Sequence, residues 1–449
     1  MNTVYYLLIL LITATFMLPF FLKVQKFGFN VYSFLMVSIL IQVFLRNTLM
    51  INDIPSFDYV HRVLLLDKPF EEFILSALIY LIASVLVVAS YIFAFKHGTN
   101  YVSSLRVVNV NPSKSSMVIW CCILIFISIL SLNSFLSIFL IDATSSYRGV
   151  SNSLENYSAH GYLRTGIRLS FVVSLLSISY YLDSKSKNKI FLFLFFISSS
   201  IYFFYAIFTS SRGLILVFFV GYFAIQSFYN KLTTSKMIIG FSAIVFIGVV
   251  MTLIRIDYAN EFSFGQITDN FIKAISYIVV NNGGIDIPKL QHLIEYVQRE
   301  GDYRFGGFIS NIVLLFIPRA IWTDKPVNID TEFGFKVYDS ISYGSGAVPP
   351  GIYGEFFWDF SWPGIVISAI LVGIFLGYAD KFLRNNYDSV FVKVCYSISI
   401  LWSGMGIIGS GAVSYFMGLV LYIVPIYIIF YISTISYKRH IKIRFQKRP

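Results

Sequence analysis

The sequence predicts an all-α, polytopic integral membrane protein with about 11 transmembrane helices and a large extracytoplasmic loop that contains short amphipathic or re-entrant helices. Of its 449 residues, 57% are hydrophobic and only 13% are charged. A soluble chain has about a quarter of its residues charged, so this chain cannot cover itself with a water-facing surface. Apolar runs of spanning length recur along the sequence, and the short loops between alternate runs are basic.

The candidate spans are runs of roughly 17–25 apolar residues, the length that crosses a bilayer as a helix. The first run follows no positive charge and contains no small-residue cleavage site, so we interpret it as a retained helix and not as a signal peptide. The predicted spans are residues 4–22, 31–50, 73–95, 116–140, 166–182, 189–208, 212–229, 236–254, 363–380, 389–407 and 414–436.

The distribution of lysine and arginine predicts the orientation of these spans. The tail from residue 436 to 449 has six Lys or Arg side chains and no carboxylate, which predicts a cytoplasmic C-terminus. An odd number of spans then places the N-terminus in the periplasm. The loops that face the cytoplasm in this arrangement each carry at least two cations: 23–30, 96–114, 183–189, 230–236 and 380–388.

We interpret the chain as a single membrane domain, 1–449, with an extracytoplasmic loop at 255–362 between predicted spans 8 and 9. That loop is far longer than ordinary connections, which predicts structure and function within it. Residues 287–301 have apolar side chains at helical spacing and are predicted to lie on the membrane surface or over a cavity. Residues 308–322 predict a short re-entrant or interfacial helix, and the Gly- and Pro-rich stretch 340–364 a shaped turn.

Arginine predominates among the cations of the predicted outer face, against the bias of the positive-inside rule. Its planar guanidinium binds phosphate or carboxylate through two parallel hydrogen bonds. Two explanations stay open: these side chains pair with outer carboxylates, or several of them share one anionic ligand. The candidates for an anion site are Arg148, Arg164, Arg168, Arg212, Arg255 and Arg319.

Acidic residues offer one principal candidate for proton transfer. Glu355 lies near the start of a predicted span, where it is either a helix-start carboxylate or a general base that faces an outer cavity. Asp359 and Glu332 are weaker candidates for the same role. The sequence has no Asp-x-Asp pair and no Cys or His spacing typical of metal ligands, so we predict no metal site and no cofactor.

Four segments resemble bacterial oligosaccharide repeat-unit polymerases, the Wzy-type polymerases of O-antigen, capsule and enterobacterial common antigen. These segments are YRGVSNSLENYSAHGYLRTGIR (147–168), SSRGLILVFF (210–219), LLFIPRAIWTDKP (314–326) and AVPPGIYGEFFWDFSWPGI (347–365). The likeness in layout covers most of the chain.

The resemblance implies a metal-independent glycosyltransferase in the bacterial inner membrane that acts at the periplasmic face. Its donor and acceptor would be oligosaccharides linked to undecaprenyl diphosphate, and the growing glycan would move to the non-reducing end of a new lipid-linked unit. Arginines would hold the diphosphate leaving group, and Glu355 or, second, His160 would take the acceptor proton. The implied partners are this lipid-linked oligosaccharide, the bilayer and a chain-length regulator protein, with no nucleic acid.

Three other functions stay open on the sequence. An O-antigen ligase-like transferase has the same leaving group and differs only in its acceptor. A flippase or transporter without catalysis would favour internal repeats and charges at the centres of spans, and we find no clear inverted repeat. A structural or assembly role is the third alternative.

Overall fold

The computed structural model describes helices along most of the chain. Every regular element among the described residues is helical, as the sequence predicts. The described residues are 2–24, 26, 30–51, 70–98, 113–141, 161–183, 188–209, 211–229, 240, 242, 246, 249, 287–314, 317, 322, 329–338, 348–400 and 406–446.

The helices are numbered here in chain order. They are α1 (Asn2–Phe21), α2 (Val31–Ile39), a π-helical turn (Leu40–Leu45), α3 (Arg46–Ile51), a 3₁₀ turn (Phe70–Phe73), α4 (Ile74–His97), α5 (Lys114–Ile141), α6 (Gly161–Asp183), α7 (Lys189–Phe208), α8 (Arg212–Tyr229), α9 (Ile287–Glu300), α10 (Gly307–Leu314), α11 (Ile329–Tyr338), α12 (Gly351–Asn385), α13 (Val390–Ile400) and α14 (Gly411–Gln446).

Eight helical segments within the described ranges are long and apolar enough to cross a membrane, and all eight coincide with predicted spans. Two shorter apolar helices, Gly213–Tyr229 and Val390–Ser399, coincide with two more. The remaining predicted span, 236–254, lies mostly outside the described residues, so the count of eleven stays a prediction. The multi-pass, helical character of the chain is confirmed.

The backbone forms two compact units. The first unit comprises Met1–Val102, Ile238–Phe382 and Ile400–Met417, and the second comprises Ser103–Met237, Leu383–Ser399 and Gly418–Pro449. The described part of the predicted loop 255–362 belongs to the first unit. Helices α5 to α8 belong to the second.

Helix α6 is the centre of the second unit and packs against α5, α7 and α8. One face of α6 is lined by the buried serines Ser170, Ser174 and Ser177. Small side chains of this kind let helices approach closely inside a membrane. The Ser174 hydroxyl lies 2.9 Å from the Ser198 hydroxyl of α7. A Cβ atom at Gly166 would collide with Ser131 of α5, so this glycine permits the close contact of α5 with α6.

Helices α6 and α8 run parallel in the second unit, because α7 reverses the chain between them. The ring centroids of Phe171 and Phe218 are 6.3 Å apart. Further along both helices, Gly221 approaches Leu175. At this register the first turn of α8 lies level with residues 164–166 of α6.

In the first unit, two adjacent charged residues of α12 bind the ends of two other helices. Asp380 accepts hydrogen bonds from the Val31 backbone N–H at 3.0 Å and from the Tyr91 hydroxyl at 2.8 Å. Lys381 donates to the Phe95 carbonyl oxygen at 2.9 Å. The carboxylate thus lies at the N-terminus of α2 and the ammonium group at the C-terminus of α4, as the helix dipoles favour. The ends of three helices that border loops assigned by the sequence to one side of the membrane therefore meet at one end of this unit.

The opposite end of the first unit collects segments that the sequence assigns to the other side. The Tyr5 hydroxyl donates to Asn47 Oδ1 at 2.7 Å, and the Tyr5 ring lies 5.5 Å from Phe70. The Phe73 and His292 rings are 5.7 Å apart. The start of α1, the start of α4 and helix α9 thus share this end.

Helix α9 does not lie exposed on a surface, which is one of its two predicted positions. Every residue from Ile287 to Ile294 is buried, including the polar Lys289, Gln291 and His292. His292 Nδ1 lies 3.1 Å from the Tyr338 hydroxyl of α11, so the polar face packs against a second short helix. Only the last turn of α9 is exposed, and the helix is a packed part of the first unit.

Helix α12 consists of two helices that meet at a sharp corner. Ser361 has φ 56° and ψ −149°, which breaks the helix, and Pro363 follows. A Cβ atom on Gly364 would collide with the Phe356 carbonyl oxygen, although eight residues of an unbroken helix span about 12 Å. The chain therefore turns back on itself, and Gly364 provides the space. We name residues 351–360 α12a and residues 362–385 α12b.

Candidate functional site

Two predicted site residues, Arg164 and Arg168, lie one turn apart on α6. Positions i and i+4 lie on the same face of a helix, so both guanidinium groups extend toward one region of the second unit. Both side chains are half-buried. The guanidinium group of Arg168 lies close enough to the hydroxyl groups of Tyr202 in α7 and Tyr422 in α14 to interact with them electrostatically.

Arg212 begins α8 at the same level as Arg164. This follows from the parallel register of α6 and α8. A hydrogen bond of 3.1 Å from the Tyr202 hydroxyl to the Leu214 carbonyl oxygen connects the neighbourhood of Arg168 to the first turn of α8. The backbone therefore brings three of the six predicted arginines to one end of the second unit.

Aromatic rings bound this arginine site. Phe171 follows Arg168 by one turn, and its ring centroid lies 5.3 Å from Tyr202 and 5.6 Å from Tyr422. Both tyrosines are buried. Guanidinium groups beside such rings lose much of their hydration, which strengthens their attraction to an anion. The site can therefore bind a phosphate or carboxylate group.

The other predicted arginines and the predicted histidine have no described geometry. Arg148, His160, Arg255 and Arg319 lie outside the described residues. Their assignment to the site stays a prediction.

Glu355 belongs to the first unit, where α12a buries it completely. Its Oε2 atom accepts a hydrogen bond of 2.5 Å from the Ala412 backbone N–H, in the first turn of α14. Gly411 has φ 82°, and a Cβ atom there would collide with the carboxylate. Complete burial and the neighbouring carboxylates favour the neutral acid of Glu355, and the N-terminus of α14 opposes this effect because it favours negative charge. The carboxylate is thus bound at a helix start, as one of the two interpretations predicts, but the helix is α14.

The second carboxylate oxygen of Glu355, Oε1, takes no part in the hydrogen bond with Ala412. Oε1 is buried and has no hydrogen-bond partner among the described residues. Two other buried carboxylates, Asp330 and Asp359, lie close enough to act on the charge of Glu355. A hydroxyl group that reached Oε1 would supply the missing donor, which is the contact that a general base makes with its substrate.

Glu332, the weaker candidate on α11, is engaged in ion pairs. Its carboxylate lies 3.1 Å from Arg304 and 3.0 Å from Lys336. Both of its oxygens are thus engaged by cations. Within the described ranges, no group of three or more His, Cys, Asp or Glu side chains could hold a metal ion.

Three features of these sites have weak or no signals in the sequence. Tyr202 and Tyr422 are two of 31 tyrosines in an aromatic-rich chain, and nothing local marks them as neighbours of Arg168. Ala412 is 57 residues from Glu355. The glycines of GSG (409–411), just before an apolar run, are the only local indication of a helix start that needs a cap.

No protein-family model, curated protein or solved structure matches this chain. The functional argument therefore depends on the residues themselves.

Proposed function

We propose that this protein is a metal-independent glycosyltransferase that polymerises undecaprenyl-diphosphate-linked oligosaccharide repeat units. The growing glycan leaves its lipid carrier and is transferred to the non-reducing end of a new lipid-linked unit. The observation that carries the proposal is the convergence of Arg164, Arg168 and the first turn of α8, which begins with Arg212, at one end of an aromatic-lined unit.

The proposed location is the periplasmic face of the bacterial inner membrane. The end of the first unit that holds Asp380 and Lys381 gathers basic loops, which the positive-inside rule assigns to the cytoplasm. The N-terminus and the loop 255–362 then face the periplasm. The same rule puts the start of α8 and the arginines of α6 at the periplasmic face.

The chemistry of the reaction suits arginine without a metal. An acceptor hydroxyl oxygen forms a bond to the anomeric carbon, and the bond from that carbon to the diphosphate oxygen breaks. Negative charge develops on the departing diphosphate, where fixed guanidinium groups stabilise the transition state. Each charge-assisted hydrogen bond contributes roughly 1.5–3 kcal/mol.

The proton of the acceptor hydroxyl needs a base. Glu355 is our first candidate because Ala412 holds one carboxylate oxygen, while Oε1 has no hydrogen-bond partner in the part of the chain that the structure describes. A base fixed in this way loses little orientational freedom when substrate binds. His160 is the second candidate.

The test is to supply the purified protein in lipid vesicles with a synthetic undecaprenyl-diphosphate-linked repeat unit. A ladder of lipid-linked polymers on a gel, formed in the presence of a chelator, is the expected result. A verified substrate that yields no ladder would contradict the proposal.

The same preparation distinguishes the two alternative functions. A ligase-like transferase would leave the repeat unit unpolymerised and move glycan to a different acceptor, such as lipid A core. A flippase would carry the lipid-linked unit across the vesicle membrane without forming a glycosidic bond. Either outcome would contradict the polymerase proposal and support the corresponding alternative function.

A further inference from the structure

The turn between α9 and α10 presents an aromatic ring to its surroundings. Phe305 is 83% exposed and has φ 47°, a left-handed conformation that is strained for a bulky residue. Gly301 and Gly306, with φ 67° and 89°, form the rest of the turn. A strained, exposed phenylalanine needs an explanation in function.

The turn is hydrogen-bonded to α12a, and these contacts hold Phe305 in its exposed conformation. The Arg304 backbone N–H donates to the Trp358 carbonyl oxygen at 3.0 Å. The Trp358 indole N–H donates to the Asp302 carbonyl oxygen at 2.8 Å. The Arg304 guanidinium also lies 5.3 Å from the centre of the Trp358 ring.

A series of rings leads from Phe305 to the corner of α12. The centroid distances are 5.9 Å from Phe305 to Tyr303, 6.5 Å from Tyr303 to Phe357 and 5.1 Å from Phe357 to Trp362. Phe357 is buried in the middle, whereas Trp362 at the far end is 44% exposed. We name Phe305, Tyr303, Phe357 and Trp362 the aromatic ridge.

Trp362 is also the first residue of α12b, a helix with exposed apolar side chains on more than one side. Val366 lies one turn after Trp362, and Ile367, Leu371 and Phe375 form a separate stripe at i, i+4 spacing. Exposed apolar side chains on a membrane-spanning helix face lipid tails, and tryptophan is enriched where such a helix reaches the headgroups. The ridge therefore extends laterally from the point where the lipid-facing helix α12b begins.

We propose that the two exposed rings of the aromatic ridge, Phe305 and Trp362, insert into the boundary between headgroups and acyl chains of the bilayer and anchor the turn 301–307 there. Phenylalanine has no polar atom, so Phe305 gains from leaving water and not from hydrogen bonding. A bound sugar would need polar groups beside the ring. The charged neighbours Asp302, Glu332 and Lys336 instead bind one another. This inference does not depend on the proposed enzymatic activity.

The anchor has a structural consequence for the short helices of the first unit. The turn carries Asp302 and Arg304, which bind Lys336 and Glu332 of α11. Insertion of Phe305 would hold α11 and α12a, which contains Glu355, at a fixed depth relative to the membrane surface.

The test places a tryptophan at the tip of the ridge in the full-length protein, reconstituted in phosphatidylcholine vesicles. The fluorescence of Phe305→Trp minus that of the unmodified protein isolates the new residue. We expect quenching by brominated phosphatidylcholine and protection from iodide. The matched control is Gln298→Trp, in the exposed polar last turn of α9, where iodide should quench and brominated lipid should not.

A second measurement guards against a misfolded tryptophan variant. Phe305→Cys should react with a membrane-impermeant maleimide several-fold more slowly than Gln298→Cys, each after subtraction of the three native cysteines. Equal reactivity of the two cysteines, or iodide quenching of Phe305→Trp equal to that of Gln298→Trp, would overturn the proposal.

Discussion

The carboxylate of Glu355 and the backbone N–H of Ala412 form a hydrogen bond of 2.5 Å across 57 residues of sequence. This contact binds α12a to the first turn of α14. It combines a buried carboxyl group with a helix N-terminus, and it depends on the absence of a side chain at Gly411. The last of these properties leads to a measurable expectation.

Gly411→Ala should destabilise the protein. The positive φ of Gly411 disfavours any side chain, and the added methyl group would displace the Glu355 carboxylate. We expect a loss of about 1–3 kcal/mol in the free energy of unfolding, seen as a lower unfolding temperature in detergent.

The matched control is Gly213→Ala, at an exposed position in the first turn of α8, where a Cβ atom would meet no other atom. Alanine favours a helix over glycine by up to about 1 kcal/mol, so this variant should be equally or more stable. An unfolding temperature for Gly411→Ala that matches that of Gly213→Ala would refute the role of the glycine.

Arg168→Ala should reduce polymer synthesis strongly under the proposed function. Loss of one charge-assisted hydrogen bond to the leaving group, roughly 1.5–3 kcal/mol, corresponds to about a 10- to 150-fold lower rate. Arg168→Lys should recover only part of this rate, because lysine lacks the planar fork.

The control for this series is Arg299→Ala. The Arg299 side chain is 72% exposed and lies 2.7 Å from its neighbour Glu300. Its removal should leave the initial rate of polymerisation unchanged. If Arg168→Ala retains full activity, the arginine site is not the diphosphate site.

The ion pair of Asp302 with Lys336 should stabilise the folded protein within a pH range that is limited at the acidic and at the alkaline end. The hydrogen bond from Lys336 holds the pKa of Asp302 below its ordinary value of 3.8. For Lys336, burial lowers the pKa, but its hydrogen bonds to Asp302 and Glu332 outweigh this effect and raise the pKa above its ordinary value of 10.5.

The signs of these shifts set the pH window. The Asp302 contribution is complete above its ordinary pKa and is lost as the pH falls through the lowered, folded value. The Lys336 contribution is complete below its ordinary pKa and is lost as the pH rises through the raised one. The unfolding temperature of Lys336→Met should therefore lie below that of the unmodified protein by a constant amount between about pH 5 and pH 9.

Outside that window the difference should shrink at both ends. Lys189→Met, at an exposed position at the start of α7, is the control and should show little difference at any pH. A difference for Lys336→Met that persists undiminished into strong acid would contradict the assignment.

Asp380→Ala should destabilise the end of the first unit where the ends of three helices meet. The substitution leaves the buried Val31 N–H and the Tyr91 hydroxyl without their shared acceptor, which costs about 1–3 kcal/mol per unsatisfied group. Asp388→Ala, in an exposed turn, should be nearly neutral. Thermal unfolding of both variants in the same detergent measures the difference.

The sequence was sufficient to predict the helical spans because their signal is local. Each span is a continuous apolar run, and lipid requires such a run to form a helix whose backbone groups are satisfied internally. The grouping of loops at the two ends of the first unit agrees with the alternation predicted from lysine and arginine.

The features that the sequence did not predict depend on contacts between distant residues. The amphipathic pattern of α9 indicates a helix on the membrane surface or over a cavity, but Lys289 and His292 of its polar face are buried, and the Tyr338 hydroxyl of α11 lies against His292. The corner at Ser361 places a serine in a conformation that glycine usually adopts. The Gly- and Pro-rich stretch 340–364 predicts a turn, but residues 351–360 form the helix α12a, so this part of the prediction is wrong.

The candidate site was predictable in part for the same reason. The i, i+4 spacing alone puts Arg164 and Arg168 on one face of a helix, and in the structure both residues lie on the helix α6. The level of Arg212 depends on the register of α6 and α8, which the packing of Phe171 against Phe218 sets. No pattern within either helix specifies that register.

Asp380 and Lys381 are adjacent in sequence, yet each serves a helix end of the opposite polarity. A shift of α12b by one residue in one direction would bring the Lys381 ammonium group to the start of α2. A shift by one residue in the other direction would bring the Asp380 carboxylate to the end of α4. Each shift would replace an attraction between a charge and a helix dipole by a repulsion. The pair therefore favours one axial and rotational setting of α12b over the two neighbouring ones.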